Sequence, residues 1–144
     1  MGIKFGYVAL LSFIFTCMAA QESRVVDNWF NEDETAHIRI FKATNGKYYG
    51  KIEWLKEDPD RLDVHNPDES KQKEPLLGLL ILKGFGFDTD NQQWIDGTIY
   101  DPDNGKTYDC FMWFEEDPDI LFIKGYVLGM KFVGRQTKWK RVME

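Results

Sequence analysis

Few groups in this chain could do covalent chemistry. It has two histidines, His37 and His65, and two cysteines, Cys17 and Cys110. His65 stands beside Asp63, Asn66 and Asp68 in a proline-bearing stretch. A metal site needs about three or four convergent ligands, so one imidazole among closely spaced acids reads better as a network that buttresses a loop. His37 sits between apolar neighbours and reads as an ordinary residue on the polar side of a strand. Gly105-Lys106-Thr107 resembles the end of a phosphate loop, but Tyr100 stands where that motif requires its first glycine. The alternating acids after Asp101 and after Asp88 do not continue into a calcium loop, which needs a central glycine and a terminal glutamate. No GxSxG sequence occurs, and no Ser or Cys is matched with a placed His. A pair of carboxylates of the glycosidase kind cannot be picked out by presence alone in a chain with 24 Asp and Glu. The expectation is therefore no catalytic residue, no metal site and no cofactor, with a carboxylate-dependent hydrolase kept as the lowest-ranked reading.

The elements that would position these residues are short. The hydrophobic share of 43% against 29% charged predicts a folded domain, and 144 residues suffice for one. Aromatic residues at 15% favour strands. The net charge of −6, with no basic stripe in view, argues against a nucleic-acid partner. Residues 25–30 (VVDNWF) read as a first strand. In TAHIRIFKA, Ala36, Ile38 and Ile40 fall on one face, His37 and Arg39 on the other. This two-residue alternation marks a half-buried strand. Asn45-Gly46 turns the chain into KYYGKIEWL, with Tyr48, Ile52 and Trp54 assigned to one face. Residues 76–85 are almost all apolar and read as a buried strand, entered through a short turn. Further runs follow at 92–101, 106–116, 120–127 and 135–142, separated by turn sequences such as PDNG and EDPD. Cys110 alternates with Tyr108, Met112 and Phe114 and is expected in the core. The polar segment 56–75 is long for a plain connection and is a place to look for function.

About eight consecutive strands joined largely by hairpins predict an all-β antiparallel up-and-down barrel. Such a barrel is just wide enough to be filled by its own side chains or to hold one small ligand. A rim built from Asp63, Asn66, Tyr100, Asp101, Lys106 and Tyr108, with Trp54 and Trp94 as walls, is the candidate binding site. Each of these residues also has a structural reading: Asp63 and Asn66 as loop caps, Tyr100 and Tyr108 as a cross-strand pair, Lys106 as the counterion of Asp101.

The amino-terminal end differs from the rest. Lys4 is the only charge before Glu22, and the stretch between them is largely apolar. A basic start, an apolar middle and a small-residue end describe a secretory leader. Residues 1–20 are assigned to it, with Ala19 as the second choice of cleavage site. The single domain is then residues 21–144, in the periplasm or secreted. Acylation at Cys17 and an uncleaved anchor are the minor alternatives. After cleavage Cys110 is the only cysteine, so no internal disulfide is expected.

Several motifs occur in a fixed order: KIEWL, Asp63 to Asp68 (DVHNPD), EPLLGLLILKGF, WIDGTIYDPDNGKTY and GRQTKWKR. In combination they resemble the bacterial family known as domain of unknown function 2147 (DUF2147), over about Val25 to Val142. The resemblance implies an exported β-barrel similar to the lipocalins, without implying a reaction. Family members usually have a glycine two residues before the first-strand Trp, where this chain has Asp27 before Trp29. By analogy with lipocalins, Trp29 and Arg141 would close one end of the barrel as a cation–π pair, with Asp27 as a further partner of Arg141. The function expected is binding of a small apolar or amphipathic ligand or an envelope component. The alternative is a structural or interaction protein with a filled barrel and an envelope protein as partner.

Overall fold

The computed structural model describes residues 19–144. Residues 1–18, which hold Cys17 and most of the assigned leader, lie outside the described residues. Eight strands follow one another: β1 (Asn28–Phe30), β2 (Ala36–Lys42), β3 (Tyr48–Leu55), β4 (Leu80–Asp88), β5 (Gln93–Asp101), β6 (Lys106–Phe114), β7 (Ile120–Tyr126) and β8 (Gly134–Arg141). Each pairs antiparallel with the next, and β1 pairs with β8, so the sheet is a closed up-and-down barrel.

Alternation sets the inner face. Ala36, Ile38 and Ile40 of β2 are buried, and so are Cys110 and Met112 of β6 and Leu121 and Ile123 of β7. Burial pushes the Cys110 thiol far above its ordinary pKa, so it is a poor nucleophile. Gly50 and Gly97 are inward positions where only a hydrogen fits. A Cβ at Gly97 would lie 2.4 Å from the Phe85 ring, and one at Gly50 would lie 2.8 Å from Leu82.

Two expectations are corrected, at β1 and in β3, and the turn expected before the 76–85 strand is located. The first strand begins at Asn28, because Ser23–Val25 forms a 3-10 turn that drives Val25 into the core. The apolar run at 76–85 is divided. Leu76 to Leu79 make a turn around Gly78, whose φ is +85°, and only from Leu80 does the strand run. In β3 the register shifts by one residue, so that Trp54 faces His37 while Ile52 faces Ile38. A bulge of this kind reverses the side on which later residues emerge. Leu55 therefore packs on the core, and Trp54 lies on the outside.

The ends of the barrel differ. The 3-10 turn and the 43–47, 89–92 and 115–119 connections meet at one end. Trp29, Trp94, Tyr48, Phe87 and Phe114 fill it, with Trp29 and Trp94 each 5.6 Å from Phe114 between ring centroids. Arg141 lies 4.4 Å over Trp29. Its guanidinium donates to Asp119 (2.9 Å), to Asp27 and to the Pro118 carbonyl (2.9 Å). Arg141 and Trp29 thus lie together over this end, with Asp27 as a counterion of Arg141.

Candidate functional site

The opposite end is open. Strand polarity brings the β1–β2 hairpin, the long 56–79 connection, the β5–β6 hairpin and the β7–β8 loop together around it. Below them lies a cavity of about 780 Å³. Its lining includes Ile38, Ile52, Ile81, Ile99, Ile123 and Trp139, together with Tyr100, Tyr108 and Tyr126. Charged residues line it only at the mouth, where Glu32, Asp33, Glu57, Asp101 and Asp103 face Lys56, Arg61 and Arg135. Arg135 donates to Glu32 at 3.2 Å, and Arg61 pairs with Asp103 at 2.5 Å. Among the described residues, no group of three or more His, Cys, Asp or Glu converges to hold a metal ion.

The long connection is folded against the β5–β6 hairpin. Asp63 is 1% exposed, which a lone carboxylate would not tolerate. It is satisfied from two sides: the Tyr100 hydroxyl donates to Oδ1 at 2.7 Å, and the Asn66 amide donates to Oδ2 at 2.8 Å. Burial, then the Asp63 carboxylate, holds the Tyr100 phenol well above its usual pKa, so it remains a donor. The backbone N–H of Asp63 donates to Glu74, and Leu62 bridges Pro75. Gly105, at φ +71°, lets the hairpin approach so closely that a Cβ there would fall 1.9 Å from the His65 carbonyl oxygen. His65 itself is exposed and meets the hairpin through its backbone.

The expected rim is therefore partly assembled. Tyr100, Asp101 and Tyr108 line the cavity. Asp63 and Asn66 stand behind Tyr100 and fix the loop. Tyr108 accepts from Asn104 at 3.1 Å, and Asp101 accepts from the Asp103 N–H at 2.9 Å. Lys106 is exposed opposite Asp101 in the ladder and forms no ion pair with it. Tyr100 and Tyr108 are not direct partners, since Tyr100 faces Thr107 and Tyr108 faces Ile99. The two tryptophans are not walls. Trp54 is outside, 39% exposed against His37, and Trp94 is sealed in the closed end. The tryptophan in the wall is Trp139. Ile38 and Ile52 were readable as inward positions, but alternation does not separate a cavity wall from a packed core.

A sequence-family profile described as an uncharacterized protein conserved in bacteria (DUF2147) matches residues 27–141. Among solved structures, a Helicobacter pylori protein described as belonging to the lipocalin family superposes with a TM-score of 0.71 at 17% identity, covering 83% of this chain and 84% of that one. At that identity the likeness is one of fold. No curated protein matches the chain.

Proposed function

The chain belongs to the DUF2147 family, and from its cavity we propose that it is an exported barrel that binds one small apolar or amphipathic molecule. One observation carries this reading: the roughly 780 Å³ space with aliphatic walls and a polar mouth. Ligand pockets commonly span ~300–1,000 Å³ with apolar linings and a few polar groups at fixed places. A barrel serving only as scaffold would fill that volume with side chains, as this one does at its closed end. The lipocalin-family neighbour supports the reading at the level of fold. Export rests on the leader-like residues 1–20. A hydrolase would need acids facing each other along the substrate path, whereas the acids here ring the mouth.

Nile red titration tests the proposal. The unaltered protein should bind the dye with a blue shift. Gly125→Val and Thr137→Phe both add bulk at cavity-lining positions. A Cβ at Gly125 meets its neighbours no closer than 3.5 Å, so a side chain can leave the backbone there. Each variant should weaken dye binding by roughly tenfold, about 1.4 kcal/mol. Equal binding by the filled variants, or no binding by the unaltered protein, would remove the cavity from the function.

A further inference from the structure

Charge is segregated on this barrel, contrary to the impression of an acidic chain without a basic region. The β7–β8 hairpin, from Ile120 to Arg141, carries six of the 18 Lys and Arg and none of the 24 Asp and Glu. Arg141 is committed to the closed end, while Arg135 and Lys140 pair with Glu32 and Glu34. Lys124, Lys131 and Lys138 have no ion pair among the described residues. Lys131 and Lys138 lie instead over the outward rings of Phe111 and Phe122, at 5.6 and 5.2 Å.

The tip of the same hairpin is apolar and faces solvent. Leu128 is 88% exposed and Phe132 82%, with Val127, Met130 and Val133 also exposed. The tip is a structured turn: the Met130 N–H donates to Val127, the Val133 N–H donates to Met130, and Leu128 and Gly129 have positive φ. Large side chains held out this way forgo ~1.5–3 kcal/mol each relative to burial. Exposed apolar surface of this kind marks an interaction site.

We propose that the β7–β8 hairpin seats the open mouth on an anionic lipid surface, Leu128 and Phe132 entering the acyl region and Lys124 and Lys131 meeting the headgroups, while Lys138 lies toward the closed end beside Glu115, Glu116 and Asp117. Apolar side chains bordered by cations satisfy both layers of a membrane interface. A nucleic acid would use the lysines but leave the leucine and phenylalanine in water. A second copy would bring like charges together if hairpin met hairpin. Asp33, Glu57 and Asp101 lie on the mouth outside this hairpin and without an ion pair among the described residues, which sets a tilt with the hairpin toward the bilayer and these acids away from it. Val127 and Val133 line the mouth, so docking opens the cavity toward the acyl phase. The proposal stands whether or not the cavity holds a ligand.

Co-sedimentation of the full chain with vesicles decides the matter. One set is phosphatidylcholine alone, the other contains phosphatidylglycerol as well. The unaltered protein should partition onto the mixed vesicles, and salt should release it. Replacing Lys124 and Lys131 by Gln should weaken partitioning roughly fivefold per lysine, since each such charge near an anionic surface contributes ~1 kcal/mol. Leu128→Ser with Phe132→Ser should weaken it at least tenfold at unchanged melting temperature, because both side chains are in solvent. All variants share residues 1–20, so the differences read the hairpin alone. Indifference of partitioning onto the mixed vesicles to the lysine replacements, or to the serine pair, overturns the proposal. So does a concentration-dependent dimer that the serine pair abolishes without any vesicle binding, which would assign the tip to self-association.

Discussion

Asp63 and Tyr100 show how one residue can change its meaning in three dimensions. Among Asp63, His65, Asn66 and Asp68, acid–base chemistry and loop buttressing are both plausible on residue type. The 2.7 Å bond from Tyr100 and the near-complete burial of Asp63 assign it to holding the loop against the barrel. His37 carries a different consequence. It lies on the outer face between Phe30 and Trp54, at 4.2 and 4.4 Å between ring centroids, and its Nε2 is buried without a partner among the described residues. Burial lowers its pKa below 6.5, more than Glu53 raises it. A lowered value in the folded state means that the neutral form is favoured by folding. Its contribution to stability is complete above about pH 6.5 and is lost as pH falls through the lower folded value. Urea unfolding across that range should show a smaller acid-side loss for His37→Phe than for the unaltered protein. Parallel curves would assign the acid sensitivity to other groups.

At the scale of elements, two devices place side chains that alternation alone would misplace. The β3 bulge sends Trp54 outward and Leu55 inward. A one-residue insertion leaves no signature in KIEWL, because it is a shift in register against the partner strand and register is not visible in one strand alone. The second device is the contact of the long loop with the β5–β6 hairpin, where Gly105 is both left-handed and overlain by the His65 carbonyl. Gly105→Ala should cost about 1–3 kcal/mol from its positive φ and the forced separation. Limited proteolysis should then cut within residues 56–75 before the barrel unfolds. If the cleavage pattern stays unchanged, the loop does not depend on this approach. The turn sequences themselves were readable: Asn45-Gly46 and Asp101-Pro102-Asp103-Asn104-Gly105 make the connections they predict, since their backbone preferences are local.

For the whole molecule, closure is the decisive event, and its seam is thin. β1 has three residues and meets β8 through Trp29 opposite Arg141 and Phe30 opposite Lys140. The Arg141 cluster with Trp29, Asp27 and Asp119 reinforces that seam. Arg141→Met should lower stability by ~2 kcal/mol through lost cation–π and charged hydrogen bonds. Amide exchange should accelerate first in β1 and β8. Uniform acceleration over all strands would show that the seam is no weaker than the rest. The sequence by itself determined the number of strands, most of their bounds and inward positions such as Ile38, Ile40, Cys110 and Met112, because side-chain alternation and turn chemistry are properties of adjacent residues. Only the tertiary structure decided which inward residues pack together and which border empty space. That depends on side chains from all eight strands meeting across the barrel, and no single strand encodes it. It likewise decided which charges meet at the mouth, Glu32 with Arg135 and Arg61 with Asp103, since closing the sheet brings distant segments to the same rim.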